Sequence, residues 1–204
     1  MSNIVSGNLS VSGNLSVGGN FTGLTKAKMD LEAGQEFDIP LTDFRVWNAL
    51  ATVLPATSAA DDLGLYGTWG SSGIVIKTYD VASAGSTNLY ARAQVRLPAN
   101  YISTSAVAFK LHAGMEAVAS TACNLDVVAY KSDEDGTISS DLVTTAAQDM
   151  NSTTFADYTF NLDASSLSPG DLLDFRIDVA PNSSSGSGVV AVVGSVALSC
   201  STRG

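Results

Sequence analysis

Apolar and polar residues alternate through most of this chain, and glycine-, proline- and aspartate-containing turns punctuate the runs; together they predict an all-β sandwich or barrel. Three observations carry that expectation. Charged residues make up 15% of the sequence and hydrophobic ones 45%, a balance poor in the Glu, Lys and Arg of long helices and suited to short strands. Alternation with a period of two, which sets every second side chain on one face of an extended strand, recurs from one segment to the next. Turn residues separate these runs at short intervals, with no helical pattern between them.

The chain opens on a repeat. Residues 6–11, 12–17 and 18–23 read as three six-residue units, Ser-Gly-Asn-Leu-Ser-Val twice and then Gly-Gly-Asn-Phe-Thr-Gly. Leu9, Leu15 and Phe21 share one phase, and Val11 and Val17 lie two residues further on, on the same face of an extended chain. Each Gly-Asn pair signals a turn or bulge. One copy of such a segment has no opposite wall against which to bury its apolar edge, so it needs stacking neighbours or partner chains. Residues 24–37 are helix-compatible at Lys26, Ala27, Met29, Leu31, Glu32 and Ala33, with Gly34 as a stop. That stretch is too short to be stable alone and reads as a connector. The expected organisation is an extended arm with connector over 1–37 and a globular β domain over 38–204.

Within the domain, residues 44–54 read as a strand ending at Pro55, and 56–73 as a long loop holding Asp61, Asp62, Tyr66 and Trp69. Residues 74–79 are a β-branched run closed by Ala84-Gly85-Ser86. Along 89–97, Leu89, Ala91, Ala93, Val95 and Leu97 face one way while Tyr90, Arg92, Gln94 and Arg96 face the other, the mark of a half-buried antiparallel strand. The same pattern returns at Val107, Phe109, Leu111, Ala113 and Met115, with Lys110 and His112 opposite, and at Cys123, Leu125, Val127 and Ala129. It returns again at Tyr158, Phe160 and Leu162, and then at Leu173, Phe175, Ile177 and Val179 after the turn Ser168-Pro169-Gly170-Asp171. Val190, Val192, Val196, Leu198 and Cys200 form the last inward set. About eight strands at this spacing indicate a sandwich or barrel.

The composition also excludes. Twenty acidic against ten basic residues give a net charge of -10; a phosphate-tracking surface needs clustered Lys and Arg, so no nucleic-acid partner is expected. No basic region with an apolar core opens the sequence, and no apolar run has the length of a bilayer span, which predicts a soluble chain made in a cytoplasm, with no membrane partner. Cys123 and Cys200 both fall in inward phase and read as buried thiols, with a disulfide left open. Two cysteines and one histidine, His112, are a poor metal set, and Asp133-Glu134-Asp135-Gly136 lacks the spacing of a calcium loop and reads as a hairpin turn. The adjacent carboxylates Asp61 and Asp62 point apart on an extended chain, and the serines have no nucleophile elbow. No catalytic residue, metal or cofactor is expected, and the chain is read as a non-enzyme. Tyr66 and Trp69, in a glycine-rich loop, are candidates to stack on a sugar ring; the alternative, which the sequence favours, is that Trp69 anchors the long loop on the sandwich.

The repeats resemble segments of virus fibre and tail proteins in which three chains wind together. The strand and turn series 89–98, 107–115, 125–136 and 169–179 resembles the jelly-roll modules of phage virion proteins, especially capsid decoration (cement) proteins and fibre tips. The resemblance implies a jelly-roll-like antiparallel β-sandwich with an extended N-terminal arm, in a homotrimeric virion component assembled in the host cytoplasm. Eighteen extended residues reach at most about 60 Å at roughly 3.3 Å each, a span that suits an arm lying across neighbouring capsid subunits better than a projecting fibre. The expected function is a decoration protein on the outer capsid surface, partnered by the major capsid protein, with Leu9, Val11, Leu15, Val17 and Phe21 as the capsid- or trimer-contacting residues of the arm. The alternative is a fibre or tail-spike head whose Tyr66/Trp69 loop binds a host surface glycan.

Overall fold

A computed structural model describes residues 32–81, 85–119, 121–132, 135–183 and 188–203. The chain divides into two units, 1–31 and 32–204, and all the described strands belong to the second. The arm residues Leu9, Val11, Leu15, Val17 and Phe21 lie outside the described residues, as do Asp133 and Glu134.

The fold is an all-β, jelly-roll-like sandwich of two antiparallel sheets. In chain order the strands are β1 (Glu32–Asp38), β2 (Gly64–Thr68), β3 (Ser72–Lys77), β4 (Gly85–Ser86), β5 (Leu89–Arg96) and β6 (Val107–Ala117). They are followed by β7 (Ala122–Ser132), β8 (Gln148–Asp149), β9 (Ala156–Asn161), β10 (Leu172–Ser183) and β11 (Val190–Arg203). One sheet has six strands in the order β2-β3-β11-β6-β9, with β1 also on β11; the other has five in the order β4-β10-β7-β8, with β5 also on β10. The long strands β10 and β11 are the two spines, each flanked along its length by partners on both sides.

The alternation read from the sequence places the core. Leu89, Ala91 and Ala93 of β5, Phe109, Leu111, Ala113 and Met115 of β6, and Cys123, Leu125, Val127 and Ala129 of β7 are buried between the sheets. So are Phe160 of β9 and Leu173, Phe175, Ile177 and Val179 of β10. Each of the Leu, Val, Ile, Phe and Met side chains among them contributes roughly 1.5–3 kcal/mol by leaving water. The turn predicted at 168–171 closes as expected: Asp171 N–H donates to the Ser168 carbonyl at 3.2 Å, and Gly170 takes φ 83°, a conformation that favours glycine.

Four segments differ from the sequence reading. Glu32–Phe37, expected as the end of a helical connector, belongs to strand β1, because its backbone groups find partners along β11 from Arg203 to Leu198. Residues 44–54 are not a strand. A 3-10 turn at Leu41–Asp43 is followed by a tight loop in which Val46 N–H donates to the Thr52 carbonyl and Ala49 N–H to the Val46 carbonyl, so the chain spends its hydrogen bonds within the loop. The expected long loop 56–73 contains β2, which makes a hairpin with β3. Finally, Val190 and Val192 do not share a face with Val196, Leu198 and Cys200. The β6–β11 ladder shifts register between Val193 and Ser195, at Gly194; the core residues are Val189, Ala191 and Val193 before the shift and Val196, Leu198 and Cys200 after it. An extra residue in one strand reverses the phase of every side chain beyond it.

Candidate functional site

The sequence offers Tyr66 and Trp69, in a stretch read as a loop, as candidates for ligand contact; the structure places them on the hairpin β2–β3 and separates them. Tyr66 is fastened: its hydroxyl accepts the Ser58 backbone N–H at 2.9 Å, and the Lys77 ammonium lies 5.3 Å from its ring centre. Trp69 is not. It sits at the tip of the turn 68–71, where Ser71 N–H donates to the Thr68 carbonyl at 2.9 Å and Gly70 takes φ 74°. This turn carries the indole outward, and Trp69 is fully exposed. The expectation that Trp69 anchors the loop is therefore overturned, since Tyr66 does that work.

A second site lies on the outer face of the five-stranded sheet, and sequence reasoning missed it. Its floor is the outward set of β5, β7 and β10, in cross-strand register: Arg176 pairs with Arg92 on one side and Val128 on the other, and Asp174 with Gln94 and Tyr130. Arg92 Nε donates to Asp174 Oδ1 at 2.6 Å and Arg92 Nη2 to Asp174 Oδ2, a bidentate pair to which Gln94 Nε2 adds a bond at 3.0 Å. Asp174 is only 8% exposed. The hydrogen bonds to Asp174 raise the Arg92 guanidinium above its ordinary value, against the opposing effect of burial. Arg176 holds Asp178 in the same bidentate way, at 2.6 and 2.8 Å. Burial raises the Asp178 carboxyl, and the like charges of Asp126 and Asp141 add to it, so that together they exceed the lowering effect of Arg176.

Trp47 stands over this floor. Arg45 exchanges backbone hydrogen bonds with Arg92 at 2.8 and 3.0 Å, which pins the loop to the edge of β5. The indole Nε1 donates to Asp61 Oδ2 at 2.9 Å, and the ring rests on Tyr90 with centroids 5.2 Å apart. The Arg176 guanidinium lies 4.4 Å from the Tyr90 ring and 5.3 Å from the Trp47 ring, in cation–π range. Trp47, Tyr130 and Ile138 then enclose a cleft of about 300 Å³ above Arg92, Asp174 and Arg176. The advance signal was Trp47 itself, in a segment read as a strand.

On the opposite sheet His112 is exposed, as expected, with Nδ1 2.6 Å from Asp157 Oδ1. Ser195 faces His112 across the β6–β11 pair, which places a serine, a histidine and an aspartate in one row. The row lies open to water, and among the described residues no hydrogen bond joins Ser195 to His112, so the pairing that activates a serine is not made. Asp61 is taken up by Trp47, while Asp62 keeps one buried, unpartnered carboxylate oxygen and is raised by burial and by Asp61. Among the described residues no group of three or more His, Cys, Asp or Glu side chains is placed to hold a metal, and no helix is long and apolar enough to cross a membrane.

No protein-family model matches the chain, and no curated protein matches it. Among solved structures, it is similar to a Family 16 Carbohydrate Binding Module-2, at 12% identity over 71% of this chain and 88% of that one, with a TM-score of 0.40. It is also similar to a chain of infectious bursal disease virus, Gx strain, at 14% identity, over 84% of this chain but 32% of that one, with a TM-score of 0.44. A third likeness is to the CBM22-1 xylan-binding domain from Paenibacillus barcinonensis Xyn10C, at 12% identity over 70% of this chain and 81% of that one, with a TM-score of 0.37. On its own coordinates this chain is a β-sandwich module.

Proposed function

We propose that this chain is a structural virion protein: a capsid decoration (cement) protein that binds the outer capsid surface as a homotrimer and grips the major capsid protein through its N-terminal arm. The observation that supports this reading is the contrast between the two units of the chain. Residues 32–204 close a core of their own, from Ile39 to Cys200. The apolar phase of the repeat, Leu9, Val11, Leu15, Val17 and Phe21, has no opposite wall within one copy of the segment. A sandwich that needs no help and a repeat that does are what a displayed module on a gripping arm requires. Binding the assembled lattice and not the free capsid subunit stabilises the shell by mass action. The test is cosedimentation of the full chain, and of a chain beginning at Leu24, with capsid shells lacking the protein. The full chain is expected to load and the shortened chain to stay in the supernatant; equal loading of both would sink the reading.

A second reading is a fibre or tail-spike head that binds a host surface glycan through Trp69. It is favoured by one observation, the full exposure of that indole at the hairpin tip. Here Trp69→Ala is expected to abolish attachment to host cells at an unchanged melting temperature.

A further inference from the structure

We infer that the cleft between Trp47 and Ile138, on the outer face of the five-stranded sheet, is a binding site for a neutral hexose oligosaccharide. This inference stands apart from the virion reading. It concerns the sandwich alone, and either can fail without the other.

The walls come first. Trp47 and Tyr130 present ring surface to the cleft, and Ile138 at its rim is 63% exposed. A large apolar side chain left in water at the mouth of a concavity contributes nothing to the fold by burial. It does offer apolar surface to something that enters. Sugar rings carry C–H faces that pack on aromatic and aliphatic surface.

The floor decides the chemistry. Arg92 is matched by Asp174 within the lining, and Arg176 is matched by Asp178, two residues further along β10, so each cation of the floor carries its own counter-charge and the preference for a charged ligand is small. Donors and an acceptor lie side by side. Arg176 donates to Asp178 through Nε and Nη2, and among the described residues the other N–H groups of its five have no hydrogen-bond acceptor. A carboxylate accepts about four hydrogen bonds, and three are recorded at Asp174. Among the described residues no hydrogen bond engages the Tyr130 hydroxyl. A hydroxyl both donates and accepts, and vicinal hydroxyls on a ring present both roles at fixed spacing, which this floor answers. A proline-rich peptide in an aromatic groove offers chiefly carbonyl acceptors and so makes no use of the remaining acceptor position of Asp174.

The site is also rigid before any ligand arrives. Trp47 is held by Asp61, Tyr90 and Arg176, and Arg92 by Asp174 and by the backbone of Arg45. Binding therefore orders few side chains, which lowers its entropic cost. The Arg92–Asp174 pair is part-buried, with the Arg92 side chain 33% exposed, so on the floor of an open cleft it is polar recognition surface held in place.

The chain has two tryptophans, Trp47 and Trp69, so the full-length Trp69→Phe variant reports on the cleft alone. Its fluorescence is titrated with cellohexaose, maltohexaose and mannohexaose to about 10 mM, with hexagalacturonate and a proline-rich decapeptide as controls. At least one neutral hexasaccharide is expected to shift the emission saturably, with Kd of about 1 mM or tighter. Tyr130→Ala and Ile138→Ala, each placed in that background, are expected to weaken it about tenfold or more at an unchanged melting temperature. Ile138 is exposed enough that its truncation leaves the fold intact, so a misfolded Tyr130 variant does not end the test. The inference is overturned if none of the three sugars binds, if a sugar binds equally well in the Ile138 variant, or if hexagalacturonate or the peptide binds in their place. Dependence on Trp69 in place of the cleft, read by a calorimetric titration of Trp69→Ala with the same sugars, also overturns it.

Discussion

The ring of Phe109 on β6 lies on the ring of Phe175 on β10, with centroids 4.2 Å apart and planes 23° from parallel. These strands belong to different sheets, so the two halves of the sandwich meet ring on ring. Phe44 closes the third side edge-on to Phe175, at 5.6 Å and 86°. Phe175→Ala removes both contacts from a site that is 1% exposed. We expect it to lower stability by about 3–5 kcal/mol in denaturant unfolding. A loss below about 1 kcal/mol would show that the sheets do not depend on this stack.

Gly64 opens β2 against a backbone that has no room to give. A Cβ there would press on the Ser58 backbone nitrogen and lie 2.8 Å from Tyr66 Cε2. Gly73, in the partner strand, has nothing within 4 Å of such an atom. Gly64→Ala is expected to cost about 1–3 kcal/mol and to loosen Tyr66, while Gly73→Ala leaves the melting curve in place. Equal effects of the two would contradict this account of the hairpin.

Much of this architecture was legible in the sequence, and the reasons are local. Where a strand has one face in the core and one in water, as in β5, β6, β7 and β10, the period of two is written directly in residue type. Reading failed where geometry depends on a distant partner. Glu32–Phe37 becomes a strand only because β11 offers its edge, and nothing in its own residues records that. In β11 the inward phase reverses at Gly194, and a run of valines on both sides of it hides the reversal. The Trp47 cleft was invisible for a similar reason. Arg92 reads as outward-facing, and Asp174 and Arg176 fall between the inward residues of β10, but an outward phase suggests solvent. The loop that roofs them comes from residues far away in sequence and was itself read as a strand. Trp69 was misjudged because a long loop appeared to need an anchor; the hairpin is held by its own ladder and by Tyr66.

Both thiols are free and buried. Burial, with a smaller effect of Asp149, pushes Cys123 up to about 12, and burial raises Cys200 above its ordinary value. The thiolate is the reactive form. An aromatic disulfide reagent at mildly alkaline pH should therefore label neither in the native protein and both after denaturation. Rapid labelling of the native chain would contradict the burial of these strands.

Acid dependence follows from carboxylates displaced in both directions. Asp62, Asp126 and Asp178 are held above the ordinary value of 3.8, each chiefly by burial. The stability they contribute is fully present below that value and is lost as pH rises through their native values. Asp135 and Asp163 are held below 3.8 by hydrogen bonds from Thr137 and Ser165. Their contribution is present above that value and is lost as pH falls through their native values. The melting temperature is thus expected to rise from neutral to mildly acidic pH and to fall again in strong acid, with a smaller rise in Asp126→Asn. A steady fall from neutral pH downward would be the contrary result.

The central claim, a homotrimer whose sandwich assembles without its arm, is tested most directly by light scattering on the full chain and on a chain beginning at Leu24. The account predicts a trimer in both cases, three times the 20.9 kDa chain mass for the full-length protein, which leaves the arm for the capsid. A single-chain mass for both would contradict the trimer. A trimer that falls to monomers on truncation would make the repeats an intertwined stalk and turn the account toward the fibre reading.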